Sequence, residues 1–418
     1  MKEKDKKLLL YGGSMTSVQI LNVAHEKGFK VGVIDYYEKS YCKSLADFSH
    51  QTDVFDLDAV CKIFIENNYD GIITGYSENL LQPYAKVCDR LKVPCYGSSH
   101  LFDLSTNKQK FKALCKKHGV PVMPEFSHKD VLEKEGPFPL VVKPVDSAGG
   151  FGISICNSLD EFTNYYEQAL QFSPSKNVII EKCAQGKEAT FFFYFNKGQI
   201  YYTIGGDRLM IKQKGVSLPL PVGYIFPTNV RKEWIDLFIA NLSNLFKEEG
   251  FKDGMAFAQA FIEDDGIYLC EIGYRLTPSF ETFAIKEFYG FDPIAGLVEF
   301  AIGNNVDCKE LDKSPKDESI ANITFLVRSG IISKYEGIDS VKQLPYVIKV
   351  LPAWSLGHQI KEEEYGTLKQ VGLRILLKGK DQEDLVKNMD YVFSQIQILD
   401  ENGEDMTIRE YTYKDLSK

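Results

Sequence analysis

The sequence predicts an α/β domain followed by an α+β remainder, on three observations. Short apolar runs alternate with amphipathic helical stretches through the first hundred residues, the pattern of a parallel sheet with helices on both faces. Beyond about Thr106, two long strand-like runs, "EATFFFYFN" and "QIYYTIGGD", meet at a Lys-Gly turn, which is an antiparallel arrangement. A further hairpin lies in "GMAFAQAFIEDDGIYLCEIGYR", two β-rich runs around Asp-Asp-Gly.

Taken in order, "KLLLYGG" reads as a strand ending in a glycine turn, and a helix spans about Thr16 to Lys27. "KVGVIDY" is a strand ending at Asp35; "YDGIITGYSEN" gives another strand, "LLQPYAKVCDRLK" a helix, and "VPCYG" closes the series. The turn Gly12–Gly13–Ser14–Met15 is a partial dinucleotide fingerprint, open to reading as a tight turn or a small-ligand site. "NKQKFKALCKKHGV" is a basic amphipathic helix with Phe111, Leu114 and Cys115 on one side. "PFPLVVKPV" and "GISIC" are strands, "SLDEFTNYYEQAL" a helix with a Ser N-cap, and "NVIIEKC" a strand before the linker "AQGK". A helix covers about Arg231 to Glu249, and "DPIAGLVEFAIG" starts another with Asp at the N-cap and Pro at N1. The polar stretch 304–319 reads as a linker, and the tail from about 320 returns to mixed strands and helices. The expected domains are 1–105, 106–303 and 304–418.

Composition narrows the function. A net charge of -9 argues against broad nucleic-acid binding, which needs a basic face. No apolar run approaches bilayer length, and the three leucines after the basic start are too few for a signal peptide. Nine cysteines, an odd number without a CxxC pair, suggest reduced thiols in a cytoplasmic protein. No HExxH or comparable spacing points to zinc.

Chemistry concentrates in three places. In "VVKPVDSAGGFGIS" Lys143 closes an apolar strand before a loop with Ser147, Gly149, Gly150 and Gly152. The lysine precedes the loop and a strand follows it, so this is no P-loop. It is either a flap whose N–H groups close over phosphates or a plain hairpin turn. In "VIIEKCAQGKE", Glu181 and Lys182 end a strand and Glu188 starts the next, which suits a purine slot with a ribose carboxylate, or two solvated edge charges. In the second hairpin a three-residue Asp-Asp-Gly loop pairs Glu263 with Ile267 and sets Gln259 opposite Glu271. Those oxygens could hold Mg²⁺, with Arg275 beyond them for a phosphoryl group or carboxylate; a buried Glu–Arg pair is the alternative.

In this order the three pieces, with "NKxxF" at Lys108, resemble the ATP-grasp superfamily, nearest its biotin-carboxylase-like and amino-acid-ligase-like members. The resemblance implies a Rossmann-like domain, an ATP-grasp domain and a smaller mixed C-terminal domain, with ATP and Mg²⁺ as cofactors. It implies Lys108 and Lys143 on the phosphates and Ser147 to Gly152 as the covering loop. Glu181, Lys182 and Ala184 would be the adenine hinge, Glu188 the ribose carboxylate, Glu271 and Gln259 the metal ligands, and Arg275 the arginine at the acyl phosphate. Two positions depart: the earlier metal position, usually Glu or Asp, is Gln259, and the one two after the main Glu, usually Asn, is Gly273.

The implied activity is an ATP-dependent ligase that makes an acyl phosphate from a small carboxylate and joins it to an amine or similar nucleophile. A weakly active nucleotide-binding regulator is the alternative that Gln259 and Gly273 favour. The expected partners are small molecules, with no nucleic acid, no membrane and a possible homodimer. "GGDRLMIKQKGVSLPLPVGYIFP" reads as a long loop, solvated or with Asp207 and Arg208 facing substrate. Trp354 and His358 read as a core aromatic and an incidental histidine rather than a catalytic pair.

Overall fold

The alternating pattern of the first hundred residues folds into a four-stranded parallel sheet. Its strands are β1 (Lys7–Tyr11), β2 (Lys30–Asp35), β3 (Phe48–Gln51) and β4 (Gly71–Ile73), in the order β3-β2-β1-β4. The computed structural model describes residues 6–134, 136–145, 152–216 and 218–417. β3 escapes a sequence reading because it is four residues long, half exposed and mostly polar. "VPCYG" forms no strand. Pro94 offers no N–H to a ladder, and the chain turns there toward the helix Ser99–Thr106, capped by the Ser98 hydroxyl.

A second, three-stranded antiparallel sheet has the order β6-β5-β7, from β5 (Leu140–Pro144), β6 (Ser154–Cys156) and β7 (Val178–Lys182). The helix Leu159–Phe172 covers it, with Ser158 as the expected N-cap. The two enclose a small core of their own around Leu140, Val142 and Phe162.

The third sheet has eight antiparallel strands. β8 (Lys187–Asn196) and β9 (Gln199–Ile211) turn at Lys197–Gly198, both at positive φ as a tight hairpin requires. β10 (Leu220–Phe226), β11 (Gly254–Glu263), β12 (Gly266–Gly273) and β13 (Ser319–Leu326) follow. β14 (Gly330–Ile331), β15 (Lys334–Glu336), β17 (Gln359–Ile360) and β19 (Gln397–Leu399) make two small pairings outside the sheet, whose last strands are β16 (Val347–Pro352) and β18 (Val371–Gly379). The order is β12-β11-β8-β9-β10-β13-β18-β16, so the sheet runs unbroken past residue 303 into the tail.

The phenylalanine run of β8 has a simple cause: both faces are covered. Phe191, Phe193 and Phe195 pack toward the helix Lys232–Glu249, while Phe192 and Tyr194 pack toward the helices Glu281–Tyr289 and Pro293–Ala301. Pro293–Ala301 is capped by Asp292, as its sequence predicts. It also docks the N-terminal sheet. At Gly71 on β4 an added Cβ would sit 2.1 Å from the Ala301 carbonyl oxygen, so only glycine permits the approach. Gly71→Ala should therefore lower unfolding stability by roughly 1–3 kcal/mol, measured by denaturant titration. An unchanged midpoint would mean that the two elements separate at little cost.

Candidate active site

The site begins with a buried charge chain. On β5 and β7, Val141 pairs with Glu181 and Lys143 with Ile179, so Lys143 and Glu181 share one face as diagonal neighbours. The Lys143 ammonium lies 2.5 Å from a Glu181 carboxylate oxygen, and Lys112, from the helix Lys108–Lys117, pairs with the other. Lys112 also reaches Glu125 at 3.1 Å, and Glu125 reaches Lys116 at 2.8 Å. Lys112, Lys143 and Glu181 are all buried. Burial pushes the Lys112 ammonium down to about 8, with the neighbouring charge of Lys143 adding to it. Burial also lowers Lys143, and Lys108 acts in the same direction.

The rest of the site is a polar stripe across one face of the large sheet. Cross-strand register places Glu271 opposite Gln259, Gln259 opposite Thr190, Arg208 opposite Tyr224, and Tyr224 opposite Asn322. The stripe, Lys108, Lys143 and Arg275 line one cavity of 450 Å³. Gln259 donates an amide N–H to Glu188 at 2.9 Å, and Arg208 pairs with the same carboxylate. Arg275 lies over the Phe257 ring, 3.5 Å from Glu78 and 3.0 Å from the Leu276 carbonyl. Below it the wholly buried Glu281 accepts the Thr277 N–H at 2.9 Å and its hydroxyl at 2.6 Å, fixing the turn that floors the cavity.

Lys108, Lys143, Gln259, Glu271 and Arg275 thus come together on one cavity. Glu188 joins them through Gln259 and Arg208, while Lys182 is exposed and Ala184 half-buried on the linker beside it. The Glu181 side chain is spent on two lysines, so only its backbone is left for a ligand. Gly152 sits against Pro144 and Phe172; Ser147, Gly149 and Gly150 lie outside the described residues.

Three expectations need correction. The hairpin turn has two residues, pairing Glu263 with Gly266, and a bulge at Cys270 restores the Gln259–Glu271 pairing. The expected long loop is mostly strand: β9 runs to Ile211 and β10 starts at Leu220. Strand alternation then separates Asp207 from Arg208: Arg208 faces the cavity, and Asp207 binds Thr228 and the Asn229 N–H. Trp354 and His358 stack on each other at 3.9 Å, away from the cavity. Lys112, Glu281, Asn322 and Arg374 were not anticipated. Only Lys112 carried a signal, its i+4 spacing from Lys108 on a helix.

Residues 103–199 match the family described as D-ala D-ala ligase C-terminus. An L-amino acid ligase from Bacillus licheniformis superposes with a TM-score of 0.77 at 20% identity, over 96% of this chain and 100% of that one. The biotin carboxylase domain of Hydrogenobacter thermophilus 2-oxoglutarate carboxylase, solved with MgADP, ADP and bicarbonate, also gives 0.77, at 18% identity over 95% and 91%. The chain has the ATP-grasp fold. A curated relative, the formate-dependent phosphoribosylglycinamide formyltransferase of Prochlorococcus marinus, is 25% identical over 185 residues, 42% of this chain and 47% of its own length. The chain thus spans about half the length of the curated relatives it first matches.

The unusual Gly273 has a packing explanation. A Cβ on Gly273 would lie 2.2 Å from the Phe257 ring, the ring that also carries Arg275. No Asn fits there while Phe257 stays.

Glu281 makes the site's floor sensitive to pH. Burial raises its carboxyl from 4.5 to about 7, against the Thr277 hydrogen bonds that pull it down. The folded protein holds this proton more tightly than the unfolded chain does. The stability from the neutral carboxyl is complete below about pH 4.5 and is lost as pH rises through 7. Glu281→Gln should gain on the wild type by roughly 2–3 kcal/mol between pH 5 and 8, read by denaturant titration at both. A pH-independent difference would show that Glu281 titrates normally.

Proposed function

We propose that the chain is an ATP-dependent ligase that activates a substrate carboxylate as an acyl phosphate and joins it to an amine or similar nucleophile. The carrying observation is the cavity itself. Lys143, held by buried Glu181, and Lys108 face Glu271, Gln259 and Arg275 across 450 Å³. The ligase descriptions of the family match and of similar proteins support this reading.

Lys143 and Lys108 would bind nucleotide phosphates as point charges on rigid elements. Glu181 sets the position of Lys143, and the backbone from Glu181 to Ala184 would meet the base. Glu188, held by Arg208 and Gln259, would take the ribose hydroxyls. Arg275 would neutralise the developing acyl phosphate. Glu271 and the Gln259 amide oxygen would hold Mg²⁺; the Gln259 N–H donated to Glu188 leaves that oxygen free. Among the described residues no three His, Cys, Asp or Glu cluster as a metal cage, which fits an ion held largely by phosphates and water. Bound Mg²⁺ would supply charge neutralisation for phosphoryl transfer.

Residues 1–105, 106–303 and 304–418 would be the Rossmann-like, ATP-grasp and C-terminal domains, and a homodimer is part of the reading. Free thiols at all nine cysteines suit a reducing compartment such as the cytoplasm.

The deciding experiment offers Mg-ATP with pools of small carboxylates and amines and measures ADP and phosphate. Substrate-dependent ADP formation, lost by about 10²-fold or more in Lys143→Ala or Glu271→Ala, is expected. Nucleotide binding without turnover on any pool would favour the regulatory alternative instead.

Gln259→Glu tests the metal assignment separately. It removes the N–H given to Glu188 and sets two carboxylates together. Without Mg²⁺ the variant should lose roughly 1–3 kcal/mol of stability. Adding Mg-ATP should raise its Tm by more than it raises the wild type's. Equal shifts would remove position 259 from the metal site.

A further inference from the structure

The glycine turn after β1, open to two readings in the sequence, lines a second cavity of 380 Å³. The sheet order β3-β2-β1-β4 means that the chain leaves β1 toward β2 and β3, then returns past it to β4. Such a reversal opens a crevice at the carboxyl ends of the strands, where parallel sheets accept ligands. The cavity lies there: Gly13 follows β1, Asp35 ends β2 and Thr74 follows β4. Among the described residues it shares no wall residue with the reaction cavity. Ser77 and Asn79 line it, while Glu78 between them lines the other.

Its chemistry differs from that of the reaction cavity. Among the described residues Asp35 is the only charged side chain in the wall. Its carboxylate is buried and accepts the Gly13 N–H at 2.7 Å on one oxygen and the Tyr37 N–H at 3.0 Å on the other. Each oxygen keeps a lone pair for a further donor. Only glycine permits this approach, since a Cβ at position 13 would sit 2.3 Å from Ser40 Oγ and 2.9 Å from the carboxylate. Ser40 Oγ, also in the wall, is buried with no hydrogen-bond partner among the described residues. Lys43 is outside the wall and spent on the Asp35 and Tyr37 carbonyls.

The rim is aromatic. Tyr36, Tyr37 and Phe55 line the cavity, and each is more than half exposed. The two tyrosine rings lie 3.9 Å apart. Large aromatic side chains left in water beside a buried carboxylate offer flat faces to a ligand, not to a core. The occupant that fits has a planar ring for the rim and two hydroxyls for the carboxylate. A phosphate is disfavoured by charge, because Asp35 would repel it and no Lys or Arg lines the wall among the described residues. A quaternary ammonium would suit the rings and the carboxylate but leave Ser40 Oγ without a hydrogen bond.

We propose that this cavity is a second ligand site, for an unphosphorylated ribonucleoside whose base stacks on Tyr36 and Phe55 and whose 2′- and 3′-hydroxyls donate to Asp35. Ser40 Oγ completes its hydrogen bonding on the sugar. No covalent bond changes there. The site is separate from the ATP position and does not depend on the ligase reading.

The test is binding, measured by isothermal titration on the full chain with Mg²⁺ and a saturating non-hydrolysable ATP analogue, so that the reaction cavity is already filled. The probes are the common ribonucleosides, their 2′,3′-dideoxy forms, their 5′-monophosphates, and choline. At least one ribonucleoside should bind, and its dideoxy form and its monophosphate should each bind roughly tenfold or more weakly. Phe55→Ala, at an exposed position, should weaken that ribonucleoside by roughly five- to hundredfold and leave affinity for the ATP analogue unchanged. Asp35→Asn should abolish the preference for the diol; if that variant does not fold, Phe55→Ala and the dideoxy comparison decide. Equal binding of ribo and dideoxy forms, or tighter binding of a monophosphate or of choline, would overturn the site. So would the absence of nucleoside binding beside the ATP analogue, or a Phe55→Ala variant that binds nucleosides as the wild type does.

Discussion

The site depends on one buried carboxylate. Glu181 sits between Lys112 and Lys143, with all three side chains withdrawn from water. Removing Glu181 would take the partner from the buried Lys143 ammonium, the kind of loss that costs about 3–5 kcal/mol, while Lys112 would keep Glu125 at 3.1 Å. The pairing also ties three separate pieces of chain together: the helix Lys108–Lys117, β5 and β7. Burial already lowers both lysines, so their charged forms have most to gain when an anion arrives. The arrangement holds Lys143 in place and keeps it under-satisfied, which suits a phosphate contact better than a fully neutralised pair would.

The large sheet carries that logic to the other end of the cavity. Antiparallel register puts Glu271, Gln259 and Thr190 in one row, and Arg208, Tyr224 and Asn322 in another beside it. Because the sheet continues into the C-terminal segment, the Lys143–Glu271 end of the cavity and the Asn322–Arg374 end share one surface. Rigid strands hold such groups more closely than loops would. The phenylalanines of β8 serve the same purpose, since a strand covered on both faces has little freedom to shift its Glu188 and Thr190.

Much of this was legible in residue order, for a physical reason. Strand alternation, helix caps and tight turns are local, so the parallel sheet, the Ser158 and Asp292 caps and the Lys197–Gly198 turn could be read directly. The Gln259–Glu271 pairing was reached through an expected three-residue turn; the actual two-residue turn and the Cys270 bulge offset each other. What stayed hidden is long-range. Nothing local shows that Glu181 meets Lys112 rather than water, or that Arg374 lies on the same face as Glu271. The strands that bring them together are set by the order of the whole sheet. The segment around Arg208 reads as a loop for a related reason: glycines and prolines in a strand that crosses a site look like a loop.

The two unusual positions, Gln259 and Gly273, each bear on a neighbouring side chain of the cavity. The Phe257 ring fills the space an Asn side chain at 273 would need, and it supports the Arg275 guanidinium from below. On the neighbouring strand position Gln259 gives its N–H to Glu188, so Glu188 is held by a neutral amide and a guanidinium. A carboxylate at 259 would repel Glu188 instead. Neutrality at 259 therefore preserves Glu188, and the aromatic ring at 257 preserves Arg275. Both departures thus keep a side chain on the cavity in place, Glu188 in one case and Arg275 in the other.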